Sequence, residues 1–144
     1  MNSLLVVGYD TSECSERALE YAAMWAKSTG NELVLTYVIQ WSPYSFNTPQ
    51  ENEERHRRRE AEIERAHKKV VDPVVERLRE QGGSARGVIR HGHPAETLKE
   101  IARELGASNI VVGRTGASRL KTQLFGSVAS TLIQISNIPV TVVP

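Results

Sequence analysis

The chain has 144 residues, 40% hydrophobic and 24% charged, with 18 Lys+Arg against 17 Asp+Glu and a formal net charge of +1. That length fits one domain spanning residues 1–144, able to bury a core without metal or disulfide staples, and the even charge gives no reason to expect nucleic acid or an anionic membrane as partner. The single cysteine, Cys14, excludes an internal disulfide and suits a reducing cytosol; no apolar run reaches the ~20 residues of a membrane span, and the N-terminal run is too short for a signal sequence.

In chain order, Leu4-Leu5-Val6-Val7 is a continuous apolar run ended by Gly8, the pattern of a strand covered on both faces. Ser12 can cap the next helix, and Glu13 and Glu16 suit the positive end of its dipole. Ala18, Leu19, Ala22, Ala23 and Ala26 recur at helical spacing up to Gly30, a C-cap. A second buried strand is expected over residues 32–39. Residues 40–50, with Pro43 and Pro49, read as a loop. Residues 51–81 are charged and free of glycine, with Ile63, Ala66, Val70, Val74 and Leu78 on one stripe. They predict a long helix that Pro73 kinks or divides. Its mixed charges read as a solvated face.

Gly82-Gly83 ends that helix, and residues 85–91 predict a third strand. Pro94 fits the first turn of a helix running to Leu105, closed by Gly106. Ile110-Val111-Val112-Gly113 is a fourth strand, residues 127–135 a helix, and Pro139 to Val143 a last strand. The alternation predicts an α/β fold: an open, five-stranded parallel sheet with helices on both faces. With strand order 3-2-1-4-5, ligands are expected beyond the C-terminal ends of strands one and four, where the order reverses.

Glycines 113 and 116 allow close backbone approach to an anion. Gly126-Ser127-Val128 opens a helix whose free N–H groups make an anion site, with the Ser127 hydroxyl as a further donor. Spacing alone also permits these glycines a role only in turns and helix packing. The segment is neither a Walker-type P-loop nor a Gly-x-Gly-x-x-Gly fingerprint. Asp10 is placed to accept hydrogen bonds from ribose hydroxyls, or to cap the first helix. Arg114, Arg119 and Lys121 are available to neutralise phosphate charge.

These residues carry a family resemblance. Gly113-x-x-Gly116, nine residues, then Gly126-Ser127 resembles the ATP-binding signature of universal stress proteins. The stretch from Asp10-Thr11-Ser12-Glu13 to Ala18-Leu19, the turn Gly92-His93-Pro94-Ala95-Glu96 and the closing Ile138-Pro139-Val140-Thr141-Val142-Val143 are similar to that family's motifs. The resemblance covers the whole chain. It implies an adenine nucleotide-binding fold of Rossmann-like type. Asp10 would meet the ribose, and Val38 and Val112 the base. Gly113, Gly116, Gly126, Ser127 and Val128 would meet the phosphates of ATP, accompanied by Mg or Mn. It also implies a homodimer paired through the last strand, an arrangement that covers an apolar edge. Two positions depart from the family's pattern. Tyr9 stands where a small residue or Pro is common, so its ring is placed to crowd or stack on a base. Arg114-Thr115 fills a slot often occupied by Ser-His or Ser-Arg.

A catalytic role has less support. His91-Gly92-His93 lacks a third ligand nearby. Cys14 has no paired thiol or base, and Ser127 has no adjacent His or Asp. The expectation is a regulatory ATP-binding protein of the stress response, with at most slow hydrolysis and an unnamed regulatory protein partner. The alternative is a dimeric interaction module in which nucleotide is absent or incidental.

Overall fold

The computed structural model describes residues 3–40, 48–116 and 126–144. Strand β1 (Leu4–Gly8) leads into α1 (Glu13–Thr29) and β2 (Glu32–Gln40). Then come α2 (Pro49–Ala66), a π-helical segment (His67–Val71), α3 (Asp72–Glu80) and β3 (Ala85–Gly92). Helix α4 (Pro94–Leu105), β4 (Asn109–Gly113), α5 (Ser127–Ile135) and β5 (Val140–Val143) complete the order. All four pairings are parallel, and the strand order is β3-β2-β1-β4-β5. Among the described residues no helix is long and apolar enough to cross a membrane.

Right-handed crossovers explain where the helices lie. The chain moves from β1 outward to β2 and β3, then returns past β1 to β4 and β5. The reversal sends α1 and α3 to one face, where Leu5, Val7, Leu33 and Leu35 meet Leu19, Val71 and Leu78. Helices α4 and α5 go to the other, where Val6, Val34 and Val112 meet Leu98, Ile101 and Leu132. Alternate residues of one strand thus feed two cores, and the central runs read as continuously apolar.

Local signals set the helix ends. Ser12 accepts the Ser15 N–H at the start of α1, and Gly30 closes it at φ 72°, a conformation glycine adopts without steric cost. Helix α2 begins at Pro49, earlier than the apolar stripe suggests. Thr48 accepts the Glu51 N–H at 3.2 Å while the Glu51 carboxylate accepts the Thr48 N–H at 3.0 Å. This reciprocal capping box, with Pro49 in the first turn, converts the end of the expected loop into helix. Positions 41–47 of that loop lie outside the described residues.

Pro73 does divide the long helix. The division is made by the π-helical turn before it, in which the Asp72 N–H bonds to the His67 carbonyl. The extra residue presses Val71, fully buried, onto the sheet at Gly87. A Cβ on Gly87 would stand 2.2 Å from Val71 Cγ1. Gly87→Ala is therefore expected to lower Tm by roughly 3 to 10 °C through overpacking. An unchanged Tm in thermal denaturation would contradict this packing.

Candidate functional site

The C-terminal ends of β1 and β4 diverge where the strand order reverses, and a cavity of about 380 Å³ opens there. Its size falls within the range of small-molecule sites. Nine of the ten residues expected at a nucleotide site line it: Tyr9, Asp10, Val38, Val112, Gly113, Gly116, Gly126, Ser127 and Val128. Arg114 does not. Its side chain is exposed, and its backbone staples the loop instead, donating to the Val143 carbonyl and accepting the Gly126 N–H, both at 2.7 Å. Arg119 and Lys121 lie outside the described residues.

That staple brings the start of α5 beside Thr115 and Gly116. Gly126 is the N-cap of α5 and supplies no side chain, so no side-chain acceptor occupies the first-turn N–H groups. Those groups and the helix dipole favour an anion at Ser127 and Val128. The glycines have separate reasons. A Cβ on Gly126 would lie 3.1 Å from the Gly116 nitrogen, and one on Gly116 would lie 3.1 Å from Asp10 Oδ2. Gly113 is explained by packing: its Cβ would meet Cys14 Sγ at 2.8 Å. All three glycines border the cavity, and close packing also calls for glycine at 113 and 126.

Asp10 both holds local structure and borders the cavity. Its Oδ1 accepts the Ser12 N–H at 3.0 Å and the Ser12 hydroxyl, fixing the N-cap residue of α1. Its Oδ2 edge is turned towards Gly116. Between them Thr11 adopts φ 68°, a left-handed conformation uncommon for a β-branched residue. Buried Ser15 secures the same turn, accepting the Asp10 N–H at 3.3 Å and donating to the Ser12 carbonyl at 2.9 Å.

Tyr9 borders the cavity, while its ring packs in the α1–α3 core with the hydroxyl donating to Glu16. Tyr9 is odd-numbered on the strand register of Leu5 and Val7, so the pleat turns it to that face. Burial, then the bond to Glu16 and its negative charge, push the phenol well above its ordinary value of 10.0.

Cys14 is 5% exposed, its Sγ 3.4 Å from the Val143 carbonyl and 3.5 Å from the Thr115 nitrogen. Burial opposes the thiolate. The N–H groups of Thr115 and Arg114 and the charge of Arg17 outweigh it and hold the thiol below its usual pKa. The histidine pair does not enter the cavity lining. His91 Nε2 lies 2.9 Å from Glu62 on α2, and His93 is the N-cap residue of α4. Among the described residues no group of three His, Cys, Asp or Glu side chains could hold a metal.

Further lining residues were not among the expected ones, notably Ser15, Thr36, Gln40, Pro94 and Leu98. Thr36 carried a readable signal, being the polar residue inside the apolar run Leu33 to Ile39. Leu98 and Pro94 come from α4, whose approach to the cavity is set by tertiary packing. A larger cleft of about 670 Å³ lies between α1 and α3, bordered by Met24, Lys27 and Arg77. It has neither strand ends at a switch point nor a helix N-terminus, so chemistry selects the smaller cavity.

Fold and cavity together define an open parallel α/β protein with its ligand crevice at the strand-order switch. The chain belongs to the universal stress protein family, whose family model matches residues 1–144. It is similar to the universal stress protein YxiE of Bacillus subtilis, 30% identical over 156 residues and covering 99% of each chain. A solved universal stress protein of Methanocaldococcus jannaschii superposes with TM-score 0.82 at 27% identity, over 99% of this chain and 96% of that one. An Archaeoglobus fulgidus universal stress protein in complex with dAMP matches at TM-score 0.64 and 20% identity, over 100% and 98% of the two chains. Another universal stress protein, in complex with cAMP, matches at TM-score 0.68 and 24% identity, over 99% and 96%. The last two likenesses speak for the fold.

The Tyr9–Glu16 contact has a signed pH consequence. A phenol whose pKa folding raises stabilises fully below its ordinary value, and the contribution is lost as pH climbs above it. Tyr9→Phe should cost about 1 kcal/mol at neutral pH. Above about pH 10 the wild type should lose urea midpoint more steeply than the variant, because its unfolded chain ionises first. Parallel midpoint-versus-pH curves would contradict the buried, neutral phenol.

Proposed function

We propose that this protein is a cytosolic regulator that binds ATP, or a related adenine nucleotide, in the cavity between β1 and β4. The observation that carries this reading is the meeting of opposite functions in one crevice. The uncapped N-terminus of α5 faces it on one side, and the Asp10 carboxylate borders it on the other, across Gly116. Donors for an anion and an acceptor for hydroxyls, set beside the apolar Val38 and Val112, match the parts of a nucleotide. The dAMP- and cAMP-bound family members support adenine as the base.

In this reading Ser127 and Val128 hold the phosphates through N–H groups and the Ser127 hydroxyl. Asp10 holds the ribose, and Val38 and Val112 flank the base. Mg or Mn would enter on the triphosphate, neutralising phosphate charge and keeping several waters. In this reading any turnover is slow at most. Bound nucleotide ties the β4–α5 connection to β1, and a regulatory protein partner reads that state.

The protein is further proposed to form a homodimer by pairing β5 with its two-fold mate. Val140, Val142 and Val143 are only partly covered on this edge strand, which invites pairing. Sedimentation at micromolar concentration should give the dimer mass, and a monomer across that range would contradict it.

Millimolar ATP with Mg is expected to raise Tm by several degrees, since a ligand at 100 times its Kd adds ~2.7 kcal/mol. Gly116→Val should abolish the shift, because its side chain would enter the space beside Asp10 Oδ2. The absence of any shift in the folded wild type, with Mg or with Mn, would overturn the nucleotide reading. It would leave the interaction-module reading in its place.

A further inference from the structure

We propose that the Thr36 hydroxyl is a specificity-determining contact that hydrogen-bonds the edge of the bound nucleobase. The inference rests on the nucleotide reading above and deepens it. Among the described residues Thr36 Oγ1 is the buried side-chain polar atom that has no hydrogen-bond partner. The residue is 1% exposed and lines the β1–β4 cavity. Native proteins rarely leave such a group unpaired, because its lost hydration is not repaid.

The surroundings explain why the fold does not satisfy it. The Thr36 carbonyl already accepts the Tyr9 N–H at 2.9 Å. The side chain shares the strand face of Val34 and Val38, and none of the polar residues in the cavity lining, Ser15 and Gln40 included, bonds to it. Its register partner on β1 is Gly8, which has no side chain to answer it. Any partner for this hydroxyl must therefore come from within the cavity.

Position across the sheet selects the part of the ligand. Thr36 sits on β2, two strands and so about 10 Å from β4, the strand that leads to the phosphate donors of α5. Asp10 lies between, at the end of β1. A nucleotide with its phosphates at α5 and its ribose at Asp10 delivers its base to β2. A hydroxyl both donates and accepts. One such group on an apolar wall orients a flat heterocycle and gives a hydrogen bond strengthened by the low local dielectric.

The test compares wild type, Thr36→Val and Thr36→Ser, using Mg·ATP as the probe. Three results are expected. Without ligand, Thr36→Val has a Tm equal to or above wild type, since no partner is lost. Its ATP affinity falls roughly three- to ten-fold, while Thr36→Ser stays within about two-fold of wild type. In the wild-type complex, nuclear Overhauser contacts join the adenine ring protons to the Thr36 methyl group. Equal ATP affinity of wild type and Thr36→Val would overturn the proposal and leave the nucleotide reading standing. So would a lowered unliganded Tm of Thr36→Val, or base contacts that bypass Thr36. Failure of the wild type to bind ATP at all would overturn both.

Discussion

The site depends on the placement of β1 in the middle of a parallel sheet. Successive right-handed crossovers carry the chain away from β1 on one side and back past it on the other. Helices α1 and α3 consequently cover one face, and α4 and α5 the other. Beyond the ends of β1 and β4 no helix can fill the gap, because the two connections leave in opposite directions. A crevice follows from this topology before any particular side chain is considered.

What fills the crevice is set by close backbone packing. Gly113 lets β4 pass against Cys14 at the start of α1. The Arg114 backbone then joins the loop both to Val143 of β5 and to Gly126 of α5. Cys14 touches the same junction through the Val143 carbonyl and the Thr115 nitrogen. Arg114 and Thr115 after β4, Gly126 before α5, the first helix and the edge strand are thus one hydrogen-bonded unit. A ligand bound at α5 would be felt at the edge where a second copy would pair. This links the proposed nucleotide site to the proposed dimer surface without any additional moving part.

Much of this was legible in the sequence because the signals were local. Continuous apolar runs marked the strands, and Gly30 and Gly106 marked helix ends. The β/α alternation led to the sheet order, and the positions of Asp10, Val38, Gly116, Gly126 and Ser127 at element ends led to the cavity. The chain's membership of the universal stress protein family agrees with that reading. Features set by pleat direction and tertiary contact were harder to read. Tyr9 follows the last β1 residue, and its ring joins the core of Leu5 and Val7, where it reaches Glu16. Thr36 stands out as the polar residue of an apolar run, but its role is not readable until its missing partner is seen. The π-turn before Pro73 answers the fit of Val71 against Gly87, a contact between positions far apart in sequence.

The central claim is that the cavity between β1 and β4, and not the larger cleft between α1 and α3, receives an adenine nucleotide. The most direct test is a titration of the labelled protein with Mg·ATP, followed by backbone amide chemical shifts. The account predicts that the largest changes fall together on Asp10, Val38, Gly116, Ser127 and Val128. Changes centred on Met24, Lys27 and Arg77, or none at saturating nucleotide, would contradict it.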